Sequence, residues 1–598
     1  MSARGAEAPA STWRDWGWLA LAVAIAYLLT GHHPALSSST RYDEACREMV
    51  ELGDWIVPHL GYVPYLEKPI LTYWLGAAAQ WAFGTGPYAA HLPSALAAWV
   101  SCVATYVIGV AWRGRAFGLG AALLLLGSGY FLAMASVLTT DPILSAALAV
   151  CWAGFAVWEK AGRTGRGIWA FWIGLGLGML AKGPIAIVLP GVAIAGYALL
   201  AQGPLEVLRL LWAMAPLRGT AILLAINLPW SLAVWQRDPR LLEFFYVRIN
   251  YDAFFDPTVN HPGPWWYYLP LVAGCLAPFT VIGLPLLLQQ LVGTGIAVVR
   301  RRAVEPMSLL LASIVVFPLV FLSISTSKLG TYLMPLLPIF ALVVAEGVRA
   351  LPSSARWPRW LLIGQAVVAA GVVGVAGFLA TGLRPGATRL QILGQSIDLS
   401  RFNLDYLPLA LVILVVLGTG TVVAARWHRL SWSMASLGLT GLAVVALALP
   451  RVHQAVPDFD NTRLAQRILA VDPAAPVILQ TAVAHDFEIL LTLRRRVAHV
   501  GAVRELGLGH WCQIRTEPLP AKGQPLSDPY RVSGDTLPGS PWLWSSAELV
   551  RRWTGPERLW LIGDRSAREI LEKAGLVPIE VDRTRYDALW TNQPVAQP

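Results

Sequence analysis

Residues 40–74, TRYDEACREMVELGDWIVPHLGYVPYLEKPILTYW, decide how the rest of the chain is read. They follow an apolar segment at 16–30 and are the most charged piece of the N-terminal half, with Asp43, Glu44, Glu48, Glu51, Asp54 and Glu67 beside Arg41, Arg47 and Lys68. Tyr42, Cys46 and Met49 recur at i, i+4 and i+7, which predicts a helix over 40–49 with the charges on its other faces. Pro58, Gly61, Pro64 and Pro69 then break the chain into turns before an aromatic-rich helical run resumes at Leu71. A polar, turn-rich loop between hydrophobic walls is where an integral membrane protein would do chemistry.

Those walls follow from composition. The 598 residues are 56% hydrophobic and only 14% charged, with a mean hydropathy of +0.54. That is too apolar for an ordinary soluble domain. Residues 1–12 lack a compact basic region, and 16–30 is not followed by a small-residue cleavage pattern, so this segment reads as the first membrane span and not as a signal peptide. Runs long enough to cross a bilayer recur near 14–31, 91–111, 117–135, 142–158, 168–181, 184–201, 219–236, 267–290, 307–324, 330–348, 360–381, 405–424 and 432–450, about thirteen in all. Residues 71–83 are too few to span and are expected to lie along the interface.

Basic residues orient the spans. Arg113, Arg115, Lys160, Arg163, Arg166, Arg209, Arg218, Arg300, Arg301, Arg302, Arg349, Arg356, Arg359, Arg426 and Arg429 fall in one alternating set of loops, which is expected to be cytoplasmic. An odd number of spans then puts the N-terminus inside and the tail outside. These arginines also account for the net charge of +10, so no nucleic-acid partner is implied. On the outer side the same topology gathers the loop at 40–74, Asp141 (TTDPI), Lys182 (LAKGP), the loop at 237–264 and Lys328 (STSKLGTY). Charges in an apolar context mark a functional site by default, although each alone could snorkel or pair locally.

From about residue 457 short strands alternate with helices, which predicts a small soluble α/β domain. The expected division is therefore 1–455, a membrane domain whose first outer loop is 32–90, and 456–598, an outer α/β domain. Ser566 and Glu569 read as a capping box after a strand at 558–562. Asp458, Phe459 and Asp460 form an acidic triplet too short to indicate a nucleotide-sugar site. There is no Walker loop, HExxH or paired CxxC, and Gly174, Gly176 and Gly178 read as helix-packing positions. Five cysteines leave an odd thiol; Cys46 and Cys512 are the pair that could meet in an oxidising compartment.

The opening stretch closely resembles the first outer loop of the bacterial 4-amino-4-deoxy-L-arabinose lipid A transferases. These are undecaprenyl-phosphate-dependent members of the membrane-embedded C-type glycosyltransferase superfamily, related to protein O-mannosyltransferases. The resemblance continues in order through TTDPI, LAKGP, NHPGPWWYYLP and SKLGTYLMPLLP. It implies a polytopic α-helical C-type fold with transfer of aminoarabinose from undecaprenyl phosphate to a lipid A phosphate at the outer face of the inner membrane. Lipid A so modified is less anionic and binds polymyxin and other cationic peptides less well. By the same resemblance Lys68, Lys328, Tyr332, Arg41 and Tyr42 match positions around the donor phosphate, and Asp141 matches an acidic position. Lys182 is a further site candidate. Glu67 and His261 match two ligands of a zinc ion, fewer than the three or four that zinc normally takes.

One departure bears on catalysis. Where the family reads Asp-Glu-x-Arg-Tyr, this chain reads Ser38-Ser39-Thr40-Arg41-Tyr42, and Asp43 and Glu44 come directly after. Three readings are open: Asp43 or Glu44 substitutes after a local shift of the helix, Asp141 suffices, or the protein is weakened or repurposed. A phosphate acceptor is already anionic and dispenses with the general base that a hydroxyl needs, so the lipid A reading tolerates the loss better. The alternatives are a related transferase for another sugar or envelope glycan, a lipid-binding homologue without turnover, and a transporter. The internal repeat common in transporters is not seen.

Overall fold

A computed structural model describes residues 12–30, 37–252, 263–277, 279–350, 389–392, 395–398, 462–480, 487–500, 543–544, 546–584 and 587–595. Uninterrupted apolar runs give helices, because a helix satisfies its backbone internally where lipid offers no partner. Among the described residues seven helices are long and apolar enough to cross a membrane: Tyr88–Arg113, Thr140–Lys160, Ile185–Gln202, Pro216–Arg237, Thr280–Val299, Pro306–Ile324 and Gly330–Arg349. An eighth is a bent pair, Arg115–Leu126 and Gly129–Ala135, meeting at 70°. Helices α1 (Thr12–Thr30) and Gly167–Lys182 complete the series. The spans expected at 360–381, 405–424 and 432–450 lie outside the described residues.

Two expected continuous spans are broken. The run at 117–135 stops at Gly127, where the Ser128 hydroxyl accepts from the Phe131 N–H at 3.2 Å and donates to the Cys275 carbonyl at 2.8 Å. The run at 267–290 divides into Tyr268–Cys275 and Thr280–Val299, with the Thr280 hydroxyl donating to the Ala273 carbonyl at 2.7 Å. The breaks sustain each other, since the Gly129 N–H also donates to the Ala277 carbonyl at 2.8 Å. Backbone groups freed by one break are taken up by the other, as an apolar surrounding requires.

The chain divides into two compact units. The first comprises Met1–His33, His91–Pro229 and Asn250–Val452; the second comprises Pro34–Ala90, Trp230–Ile249 and His453–Pro598. In the first, helix 140–160 packs along helix 167–182 through glycine. A Cβ at Gly154 would meet the Gly167 carbonyl at 2.5 Å, and one at Gly174 the Ala147 carbonyl at 2.6 Å. Gly176 and Gly178 are likewise pressed against Ile226 and Ala186, so the glycine run is a packing surface, as small residues in membrane helices commonly are.

The second unit joins the loop that opened the sequence reading to the C-terminal sheet. Helix α2 (Ser37–Leu52) covers the expected 40–49 helix, β1 (His59–Leu60) and β2 (Val63–Pro64) form a hairpin, and α3 is Leu71–Phe83. A small antiparallel pair, β3 (Arg389–Ile392) and β4 (Gln395–Asp398), belongs to the first unit. The C-terminal strands β5 (Val477–Gln480), β6 (Ala498–Val500), β7 (Leu543–Trp544), β8 (Trp560–Gly563), β9 (Ile579–Arg583) and β10 (Ala588–Thr591) form one sheet in the order β7-β6-β5-β8-β10-β9. The first four are mutually parallel and β10 is antiparallel to both neighbours. Leu549, Trp553, Ala567 and Leu571 from two helices cover the face that presents Ile478, Ala498 and Leu561. The helix after β8 is capped by Asp564, which accepts from the Ser566 N–H at 2.7 Å. Ser566 is therefore inside the helix and is not its cap, and Glu569 pairs with Arg565.

Candidate functional site

The polar residues singled out in the sequence gather in two groups, one within each unit. In the second unit, α2 runs unbroken from Ser37. Five residues along such a helix is about 500° of rotation, so Asp43 does not take the angular position of residue 38. No local unwinding moves it there. Asp43 is buried, and its carbonyl accepts from the Gln80 amide at 3.0 Å. Glu44 is also buried and is engaged by Arg47 at 2.7 and 2.8 Å. Arg47 further bonds the carboxylate of Glu51 and the Tyr62 hydroxyl, the latter at 3.3 Å.

Around Arg41 the side chains form an aromatic cage. Its guanidinium lies 5.6 Å from the Tyr42 ring centroid, and Tyr42 stacks on Tyr73 at 5.6 Å. Arg41 approaches Glu67 at 3.6 Å, and the Tyr65 hydroxyl donates to Glu67 at 2.8 Å. Burial opposes the Arg41 charge, but Tyr65 and Glu67 outweigh it and raise its pKa above the usual arginine range. Lys68 stands half-buried between Glu67 and Pro69.

The residue missed in sequence is Glu48. Its carboxylate is wholly buried and accepts the N–H groups of Gly61 and Tyr62 at 2.7 and 2.6 Å. Both turn residues have positive φ, 62° and 63°, the left-handed pairing of a tight hairpin turn. Burial, and next the neighbouring Glu44 carboxylate, push Glu48 well above the ordinary carboxylate range. Glu48 thus ties the hairpin preceding Tyr65, Glu67 and Lys68 to the helix carrying Arg41 and Tyr42. The signal was present as an acid at i+4 from Glu44 facing a Gly-Tyr turn, but the spacing alone reads as a solvated face.

In the first unit, the start of helix 140–160 meets the end of helix 167–182. Lys182 donates to Asp141 in an ion pair with both side chains about nine-tenths buried, and its ammonium lies 4.6 Å from the centroid of the Tyr332 ring. Lys328 is 4% exposed and donates to the Ser325 carbonyl. Among the described residues no acid pairs with it. Burial lowers its pKa. A Cβ on Gly263 would meet the Lys328 chain at 3.0 Å, so the Gly263 backbone closes over this lysine.

His261 lies outside the described residues, and among those described no group of three His, Cys, Asp or Glu side chains could hold a metal ion. Glu67 gives its carboxylate to Tyr65 and Arg41. One ligand falls short of what zinc takes, and no step below runs through a metal.

The chain is similar to known proteins over part of its sequence and over its fold. Residues 35–245 match the family model for dolichyl-phosphate-mannose-protein mannosyltransferase. The undecaprenyl phosphate-α-4-amino-4-deoxy-L-arabinose arabinosyl transferase of Yersinia enterocolitica is 32% identical over 333 residues, 55% of this chain and 58% of that protein. Its counterpart in Yersinia pestis is 30% identical over 341 residues, with the same coverage. The matched region thus spans under two thirds of these relatives' length. The crystal structure of ArnT from Cupriavidus metallidurans bound to undecaprenyl phosphate superposes with a TM-score of 0.73 at 21% identity, covering 96% of this chain and 98% of that one. Its apo form gives the same TM-score over 98% and 99%. The fold, a helical membrane region with a C-terminal α/β domain, is shared with ArnT from Cupriavidus metallidurans. Over the matched region the chain is similar to the 4-amino-4-deoxy-L-arabinose transferases and to the protein mannosyltransferase family model.

Proposed function

We propose that this protein transfers 4-amino-4-deoxy-L-arabinose from undecaprenyl phosphate to a phosphate of lipid A, and thereby confers resistance to polymyxin and related cationic peptides. The observation that carries the reading is Lys328, a buried cation bonded to a carbonyl with no acid beside it among the described residues. A charge held out of water without a counter-charge is costly, and an anionic ligand would offset that cost.

In the transfer, an acceptor phosphate oxygen attacks the anomeric carbon, the bond from that carbon to the donor phosphate breaks, and the undecaprenyl phosphate departs with the electron pair. The acceptor is already anionic, so no base need deprotonate it. What the reaction needs is fixed positive charge and hydroxyl donors where the departing phosphate gains charge. We assign that role to Lys328 and Tyr332 of the first unit. Asp141, oriented by Lys182, is assigned to the ammonium of the sugar. Glu44 and Asp43 were candidates for the missing acid. Engagement of Glu44 by Arg47 and the unbroken helix before Asp43 favour Asp141 over both.

The protein is a multi-pass membrane protein. Its placement in the inner membrane, with the N-terminus cytoplasmic and the C-terminal domain periplasmic, is part of the proposal and is supported by the arginine-rich loops. Mass spectrometry of lipid A from a transferase-deleted host, supplied with the donor pathway and expressing this chain, tests it. The expected result is a lipid A species heavier by one aminoarabinose, absent with Asp141→Ala. Unmodified lipid A from folded, membrane-inserted protein would reject it in favour of another sugar or a homologue without turnover.

A further inference from the structure

Three buried hydroxyls have no hydrogen-bond partner, those of Tyr130, Thr139 and Ser327, and the buried Tyr268 hydroxyl is met by the Leu329 backbone alone. They come from separate places in the chain. Tyr130 opens helix 129–135, Thr139 precedes helix 140–160, Tyr268 opens helix 268–275, and Ser327 lies in the link before Lys328. These elements pack on one another and on the turn Gly330–Leu336. The Asp141 carboxylate is within electrostatic reach of the Tyr130 and Tyr268 hydroxyls, and Tyr332 of Tyr268. Tyr268 is 1% exposed.

An orphaned buried hydroxyl is destabilising, and native proteins rarely retain one without a use. Hydrocarbon offers it nothing, so several orphans facing one carboxylate mark a place where a polar ligand completes them. The chemistry of the set narrows the ligand. Hydroxyls donate and accept, a carboxylate accepts from an ammonium, and the Tyr267 and Tyr268 rings, packed edge to face at 5.2 Å, add apolar surface. A phosphate would be repelled by Asp141 and has Lys328. A polyhydroxylated amino sugar uses every group.

We propose that Tyr268, with Tyr130 and Thr139, binds the sugar of the lipid-linked donor and sets which sugar is accepted. This rests on the transferase reading above. It adds a division of labour: the tyrosine hydroxyls read the sugar and Lys328 reads the phosphate.

The test measures binding of two probes, undecaprenyl phosphate and undecaprenyl phosphate-linked aminoarabinose, to the full-length protein in nanodiscs, for wild type, Tyr268→Phe, Tyr130→Phe and Thr139→Val. Wild type should prefer the sugar-bearing lipid. Each variant should lose about tenfold in affinity for it, the size of one buried hydrogen bond, while keeping its affinity for undecaprenyl phosphate. Tyr130→Phe should also melt no lower than wild type without ligand, because it removes an unpaired group. Variants that keep the wild-type preference or lose both lipids equally, or a Tyr130→Phe that melts lower, would overturn the assignment while leaving the transferase reading intact. A wild type that does not distinguish the two lipids and adds no sugar to lipid A would sink both.

Discussion

The two ends of the helical unit treat charge in opposite ways. At one end every buried acid among the described residues is clasped. Asp15 receives Arg115 at two positions, both 2.7 Å, and the Tyr106 hydroxyl at 2.6 Å. Glu346 receives Arg113 at 2.9 and 3.1 Å and Arg349 at 2.6 and 2.8 Å. Arg163 joins Glu159 at 3.0 Å and Glu206 at 2.6 Å. At the other end there is one tight pair, Asp141 with Lys182, beside a lysine held only by a carbonyl and hydroxyls held by nothing. The same helices run through both. The arginine end is finished and holds the bundle together, whereas the tyrosine end is left incomplete, which is the condition for taking a ligand.

Substitutions should separate these roles. Lys328→Met is expected to cut transfer by about 10²–10³-fold, the scale of losing one fixed group that stabilises developing charge, with stability unchanged or raised. Lipid A mass spectra and a melting curve on the same preparation read both, and full activity would remove Lys328 from the phosphate. Glu346→Gln should do the reverse. It leaves Arg349 without its acid and Arg113 with Glu305 alone, which should cost about 2 kcal/mol of stability, while transfer per folded molecule stays at the wild-type level.

A pH profile sharpens the contrast further. Because burial lowers Lys328, the folded protein holds fewer protons there than the unfolded chain as pH approaches the ordinary lysine value of 10.5. Its contribution to stability therefore improves with rising pH. Its affinity for the donor should fall over the same interval, beginning below 10.5, as the ammonium is lost. Lys328→Arg should move that alkaline limb upward, and a limb that stays in place would assign it to another group. The smallest effect belongs to Arg349→Ala. Arg349 is 43% exposed and three residues from Glu346, so thermal unfolding should report less than about 1 kcal/mol.

What the sequence disclosed follows the same line. The helices at 37–52 and 71–83 were legible because their periodicity or length is a local property, and the spans because apolar runs are. The breaks at Gly127 and after Cys275 were not. Each depends on hydroxyls and N–H groups reaching the other break, about 150 residues away in sequence. In the site, Asp141 and Lys182 were each picked out as charges in an apolar context, but their pairing across two helices was invisible. Glu44 shows the converse: an acid picked out for its place in the motif is held by Arg47, three residues on, a contact that the motif does not disclose. Asp564 took the capping role assigned to Ser566 because the helix starts two residues earlier than the strand pattern implied.

The cysteines have a practical consequence. Cys46, Cys102, Cys151 and Cys275 are all buried free thiols. Cys512 lies outside the described residues. Cys46 is bonded to the Tyr73 carbonyl at 3.5 Å, and burial, with Asp43 nearby, pushes its pKa well above the usual thiol range. Such thiols react slowly with soluble alkylating reagents. A Cys512→Ser background would therefore be nearly silent toward membrane-impermeant maleimides. Single cysteines placed in the loops at the arginine and tyrosine ends would then report, by labelling alone, which end faces which side of the membrane.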